Sequence, residues 1–218
     1  MRGTVLLVAL SLVACANTPP APDWQLNAQG AMERALQAYL SGDQRLEALE
    51  FSKARSEVAK TGRVDLVART ELLRCAAQVA SLVFEDCPGF AVLAADAPAA
   101  ERAYADYLAG RVAARDVELL PAPQRVMAGA AASTDALVSI TDPLSQLVAA
   151  GVLMRTGRAD PMVIAVAIDT ASAQGWRRPL LAWLGVQAQR AELAGDAVEA
   201  ARIRRRMALA GETVPRAP

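Results

Sequence analysis

The feature that most constrains this fold is a repeated set of helix boundary signals. Asp142 and Asp160 each precede a proline, and an acidic cap followed by a first-turn proline is typical of a helix start. The segments that begin there reach Gly157 and Gly175, and glycine is the residue that most often follows a helix. Alanine dominates the 54% hydrophobic fraction and aromatic residues make up only 4%, which favours helix over sheet. We therefore expect an all-α fold.

The same signals divide the rest of the chain into helical segments. Asp43, Asp96, Asp196 and the Ser133 region are candidate caps, and the sequence around residues 87–89 is expected to break the chain. The predicted segments are 26–41, 44–61, 63 to about 81, 97–109, 113–120, 124–132, 133–140, 143–156, 161–174, 179–194 and 197–210. The apolar stretch 162–173 is too short to cross a membrane and is expected to be a buried helix.

Several neighbouring segments are expected to pair as antiparallel hairpins. Three such hairpins cover residues 26–61, 142–175 and 178–210, and each is about 34 residues long, which is the period of tetratricopeptide repeats. Two arrangements of these hairpins follow from the pattern. One is a stacked, degenerate tetratricopeptide-like array, and the other is a compact irregular bundle of helices.

The last hairpin partly resembles the tetratricopeptide family in its own residues. Gly195 stands at the turn between its two helices, with Ala188 before it and Ala200 after it at small-residue positions of the family, and a similar turn recurs at Gly42. Arg204 occupies a place where the family has an aromatic residue. The resemblance implies stacked helices with a curved surface, but it assigns no peptide-binding groove to named residues.

The first fifteen residues have the pattern of a secretion signal that ends in a cysteine. Arg2 supplies a positive charge and residues 4–13 are almost wholly apolar, a run shorter than the roughly 20 residues that span a bilayer. The run ends in Leu12-Val13-Ala14-Cys15. This ending resembles the lipobox of bacterial lipoprotein precursors at all four positions. A secretory signal followed by a chance cysteine is the alternative.

The lipobox resemblance implies cleavage before Cys15 and a diacylglycerol on its sulfur atom. Ala16 follows where aspartate often signals inner-membrane retention, so the periplasmic face of the outer membrane is the expected location, with the inner membrane and the cell surface as alternatives. The chain then divides into a signal peptide at 1–14, a proline-rich tether at 15–23, a helical domain at 24–211 and a frayed tail at 212–218. An acylated cysteine anchors a protein stably when it carries more than one chain.

Cys75 and Cys87 remain as a pair once Cys15 is lipidated. In an oxidising compartment a disulfide between them is expected, and two free thiols are the alternative. Cys75 lies in a helical segment, where each residue advances the chain by about 1.5 Å. The helix must therefore end near Ser81 or Leu82, so that the chain can return to a Cα separation of about 6 Å.

Composition excludes several classes of function. The 23 basic and 23 acidic residues balance, whereas a nucleic-acid-binding protein would carry a basic surplus. The chain has no histidine, which excludes serine–histidine and cysteine–histidine nucleophiles and histidine-bound zinc. A phosphate-binding glycine loop after a strand is not found, and we expect neither a metal nor a cofactor.

An enzyme that uses only carboxylates remains as an alternative. Glu47 and Glu50, or Glu192 and Asp196, are spaced to share a helix face, as the two acids of a peptidoglycan-cleaving enzyme could be. The same spacing is common in solvated acidic pairs. The Glu-Ser dipeptide of many lytic transglycosylases does not occur, and we expect no enzyme.

Two further groups of residues each have a functional and a structural interpretation, and the structural one is favoured for both. The densest charge cluster is formed by Arg202, Arg204, Arg205 and Arg206. It either contacts anionic headgroups or phosphorylated glycans, or complements the negative end of a helix dipole in the last turns, with alternate arginines facing water. Trp176 and Trp183 either anchor a partner or pack between the last hairpins. The expected function is a lipid-anchored, non-catalytic interaction protein whose partners are the membrane and envelope proteins.

Overall fold

The computed structural model describes residues 20–129 and 132–212, and within these ranges every regular element is helical, as predicted. Cys15, the signal segment and residues 213–218 of the tail lie outside the described residues. The α-helices are α1 Asp23–Ser41, α2 Gln44–Ala59, α3 Val64–Ala80, α4 Pro88–Ala91, α5 Ala99–Leu108, α6 Ala122–Ala128, α7 Thr134–Val138, α8 Pro143–Arg155, α9 Pro161–Ala173, α10 Arg177–Leu193 and α11 Ala197–Gly211, with a 3-10 helix at Ala114–Leu119.

Four of the five predicted acidic caps form. Asp43 accepts a hydrogen bond from the Leu46 backbone N at 3.0 Å. The carboxylates of Asp142, Asp160 and Asp196 accept equivalent bonds at 2.7, 2.8 and 2.9 Å. Each bond satisfies one of the N–H groups that a helix start leaves without an intrahelical partner. These four predictions are confirmed.

The middle of the chain differs from the prediction at several boundaries. Asp96 is not a cap, because α5 begins at Ala99 with Pro98 in the cap position. The segment predicted at 113–120 is a 3-10 helix, and the one predicted at 124–132 is α6, which begins and ends earlier. The single turn α4 begins at Pro88, inside the predicted break at residues 87–89, because proline suits a first helical position.

The helices close into a ring rather than extending as a line. α1 packs on α3, α3 on α8, α8 on α9, α9 on α10, and α10 returns to α1. Arg178 of α10 donates from Nε to the Tyr39 carbonyl at 2.7 Å. The fully buried Trp183 donates from Nε1 to the Ala80 carbonyl at 3.1 Å. A linear repeat array has contacts only between neighbours, so these remote contacts favour the irregular bundle.

The three predicted hairpins are present within this ring. α1 with α2, α8 with α9, and α10 with α11 pack as adjacent pairs, as predicted. α9 buries Val163, Ile164 and Ile168, which agrees with the expected buried helix. Among the described helices, none is both long enough and apolar enough to cross a bilayer.

Candidate functional site

The carboxylates Glu47 and Glu50 of α2 are buried and ion-paired. Glu47 accepts a hydrogen bond from Arg74 Nε of α3 at 2.7 Å, and Glu47 is 6% exposed. Glu50 accepts from Lys53 Nζ at 2.6 Å and from Arg34 Nε of α1 at 2.9 Å. The Lys53 and Arg34 cations hold the pKa of the Glu50 carboxyl below its usual range. Both glutamates therefore join α2 to a neighbouring helix through an ion pair with an arginine.

The same arrangement is repeated along the neighbouring helices. Arg55 Nε of α2 donates to the buried Glu71 of α3 at 2.6 Å, and Arg69 Nε of α3 donates to the buried Glu101 of α5 at 2.5 Å. The partner cations remain partly exposed. A glutamate that loses its partner here would become an uncompensated buried charge.

The second candidate pair, Glu192 and Asp196, is also explained by structure. Glu192 forms an ion pair with Arg204 of α11, and Asp196 caps that helix. Both residues are exposed, and they lie on a different hairpin from Glu47 and Glu50. The structure gives each of the four predicted carboxylates a structural contact.

Cys75 and Cys87 lie at disulfide distance, with Cα atoms 6.0 Å apart. α3 ends at Ala80, and Leu82 has a left-handed backbone with φ 60°. This is the helix stop that the sequence predicted. The left-handed residue turns the chain so that the segment before Cys87 can return to α3.

A cavity of about 580 Å³ opens beside these two cysteines, and we call it the Cys75–Cys87 cleft. α3, α4 and α5 supply apolar walls, among them the buried Val79, Phe90 and Leu108. Small alanine side chains leave the space between them open. The charged residues of the lining are Glu85, Asp86, Arg102, Asp106, Arg111 and Arg155.

The charges of the cleft are only partly neutralised. Arg111 Nε lies 3.0 Å from Asp106 Oδ1. Within residues 20–129 and 132–212, neither Arg102 nor Arg155 has a carboxylate oxygen within 4.0 Å. Arg102 donates instead to the Ala97 carbonyl.

Arg155, at the end of α8, is held in place by two uncharged groups. Its Nη1 donates to the Leu108 carbonyl at 3.4 Å, and its guanidinium carbon lies 5.5 Å from the centroid of the Phe84 ring. The residue is half-buried, so its charge is less screened than that of a fully exposed arginine. The remaining N–H donors of this guanidinium are available to an anion.

A second cavity of about 470 Å³ lies between α3, α5 and the 3-10 helix. Its lining is mainly apolar and includes Tyr104, Leu120 and the Glu101–Arg69 pair. Burial raises the pKa of the Tyr104 phenol, with a smaller contribution from Asp142. Glu101 Oε2 has no hydrogen-bond partner among the described residues, but that atom is buried away from solvent.

The tryptophans and the arginine cluster take structural positions. Trp183 packs against α3 and is fully buried, so it anchors no partner. Trp176, before α10, packs partly buried against the core. Arg202 is bound to Glu199 at 2.6 Å. No basic residue lies in the last turn of α11, where a helix dipole acts most strongly. Arg202, Arg204 and Arg205 are exposed, which agrees with the solvated-face interpretation.

Sequence reasoning did not single out Arg102, Arg155 or Phe84 as site residues. The acidic pair Glu85 and Asp86 lies directly before Cys87. This pair is the local sequence feature that could have indicated a charged loop beside α3. No protein-family model, curated protein or solved structure matches the chain.

Proposed function

We propose that this chain is a lipid-anchored protein of the bacterial cell envelope that acts by binding other envelope components. The observation that carries this proposal is the sequence Leu12-Val13-Ala14-Cys15 behind a charged start and an apolar run. The anchor would be an acylated Cys15, and the expected location is the periplasmic face of the outer membrane.

The spacing between the cysteine and the fold supports a protein that works close to a membrane. α1 begins at Asp23, eight residues after Cys15. Eight fully extended residues span at most about 29 Å. An acyl group on Cys15 would therefore hold the helical body near the lipid surface, which raises its effective concentration for partners in the same membrane.

The environments of Glu47 and Glu50 argue against a role as catalytic acids. A catalytic acid needs a proton near neutral pH, and enzymes obtain this by raising its pKa. Lys53 and Arg34 lower the pKa of Glu50 instead, and Glu47 is held by Arg74. Clearing of murein by the purified protein, lost in Glu47→Gln, would contradict the proposal.

Replacement of Cys15 tests the anchor directly. Cys15→Ala should abolish palmitate labelling and move the protein out of the membrane fraction, because the acylated sulfur is removed. The matched control is Cys75→Ala, which keeps Cys15 and should still be labelled and remain in the membrane fraction. An unacylated wild-type N-terminus in intact mass spectrometry would refute the anchor.

Crosslinking in intact cells tests the binding role. Wild-type protein should be crosslinked to specific envelope proteins, and Cys15→Ala should lose these products because it leaves the membrane. Identical products from both proteins would show that the anchor does not position the protein for its partners.

A further inference from the structure

The Cys75–Cys87 cleft contains opposite charges that do not neutralise each other. Arg102 and Arg155 line it, and so do Glu85 and Asp86. Within the described ranges, none of these four side chains forms an ion pair shorter than 4.0 Å. The cations and anions therefore share one cavity while remaining apart, and a ligand that carries both charges could contact both sets.

The position of Arg155 is suited to a carboxylate. The Leu108 carbonyl and the Phe84 ring hold its guanidinium, so little further ordering is needed when an anion arrives. A planar guanidinium binds a carboxylate through two parallel N–H bonds. The half-buried location strengthens such a contact compared with one on an open surface.

The walls and the size of the cleft indicate the rest of the ligand. Val79, Phe90 and Leu108 supply buried apolar surface, and Ala91 and Ala105 leave room beside them. A volume of about 580 Å³ lies within the range of about 300–1,000 Å³ that is typical of small-molecule sites. The space exceeds what a single small anion would fill.

We infer that the Cys75–Cys87 cleft binds a short peptide with free termini and small apolar side chains. Its C-terminal carboxylate is bound by Arg155 and Arg102, and its N-terminal ammonium by Glu85 and Asp86. The inference concerns the folded body alone and does not depend on the lipid anchor.

The chemistry of the peptide termini tests this inference on the unmodified full chain. Calorimetric titration with tri-alanine, in the full chain purified in mild detergent, should show binding. N-acetyl-tri-alanine and tri-alanine amide should each bind at least about tenfold more weakly, because each has lost one charge-assisted contact.

Three outcomes would overturn the inference. The first is no binding of tri-alanine at about 10 mM, where even a Kd of about 1 mM would nearly saturate the site. The second is equal affinity for all three peptides. The third is a loss of affinity for tri-alanine amide alone, with N-acetyl-tri-alanine bound as tightly as tri-alanine, which would show that the site recognises the carboxylate and not both termini.

Arg155→Gln locates the carboxylate contact within the cleft. This variant should bind tri-alanine about tenfold more weakly but should not weaken the amide further, because the amide lacks the charge that Arg155 binds. The matched control is Arg115→Gln, an exposed arginine beside Asp116 and outside the cleft lining, which should bind like wild type. Equal weakening of both peptides would contradict the assignment of Arg155. If Arg155→Gln fails to fold, the comparison of the three peptides on the wild-type protein still tests whether the cleft binds both peptide termini.

Discussion

Gly151 lies at a close approach between α8 and α3. An ideal Cβ at this position would lie 2.3 Å from the carbonyl oxygen of Val79 and 2.9 Å from its Cγ1. An ordinary carbon–oxygen contact is about 3.3 Å or longer, so the two helices would have to separate by about 1 Å. The oxygen belongs to the backbone of α3 and cannot rotate away. Gly151→Ala should therefore destabilise the fold.

Two opposing effects set the size of this destabilisation. Overpacking of a close contact lowers the free energy of unfolding by about 1–3 kcal/mol. Alanine in place of a mid-helix glycine raises it by about 1 kcal/mol. The contact joins two backbones in the core, so we take the upper part of the overpacking range. The free energy of unfolding should then fall by about 1–2 kcal/mol, and Tm by about 2–8 °C.

Gly185 of α10 supplies the matched control. The nearest atom to a Cβ there is Met207 Cε at 3.8 Å, which is an ordinary van der Waals contact. Gly185→Ala should raise the free energy of unfolding by about 0.5–1 kcal/mol, because only the helix preference changes. Urea unfolding followed by circular dichroism measures both variants. If Gly151→Ala were as stable as Gly185→Ala, the close packing of α8 on α3 would be refuted.

Three further predictions concern the cysteines, an ion pair and a cap. Without reductant, a thiol reagent should label the denatured chain at neither Cys75 nor Cys87, and Cys75→Ser should lower the free energy of unfolding by about 3 kcal/mol; ready labelling of both would show that the bond is not formed. The pKa of Glu50 is lowered by Lys53 and Arg34, so its stabilisation is present at neutral pH and is lost as the pH falls from about 4.3 through the lower folded-state pKa. The urea midpoint should then fall more steeply in acid for wild type than for Glu50→Gln, and parallel curves would contradict the pairing. Asp160→Ala should cost about 1 kcal/mol of stability in urea unfolding, whereas Asp160→Asn, which keeps an acceptor, should cost much less; an equal loss in both would argue against the cap.

The helix boundaries could be predicted from sequence because capping is local. Asp43 and Asp160 accept hydrogen bonds from backbone N–H groups three residues further on. Donor and acceptor therefore lie within one helical turn, and the local sequence contains both. Asp96 shows the limit of this reasoning. The chain there forms one more turn, in which the Ala97 N donates to the Leu93 carbonyl, and this turn moves the helix start past Pro98.

The ring of helices and the cleft could not be predicted in the same way. The hydrogen bond from Arg178 to Tyr39 joins residues that are 139 positions apart, and Arg155 reaches a carbonyl 47 positions away. Such contacts depend on which helix faces meet, and spacing along one helix does not encode this. The candidate carboxylates were spaced to share a helix face, but arginines from other helices pair with Glu47, Glu50 and Glu192. Asp196 caps α11 instead.

The fold and the cleft are coupled through α8. Gly151 lies about one helical turn before Arg155, and Val79, which a Cβ at Gly151 would meet, also lines the cleft. A displacement of about 1 Å that relieves the contact in Gly151→Ala would also shift Arg155 relative to the Leu108 carbonyl, to which it donates at 3.4 Å. Gly151→Ala should therefore bind tri-alanine more weakly even under conditions where it is fully folded, while Gly185→Ala should bind it like wild type. Unchanged affinity in folded Gly151→Ala would mean that the position of Arg155 does not depend on the α3–α8 contact.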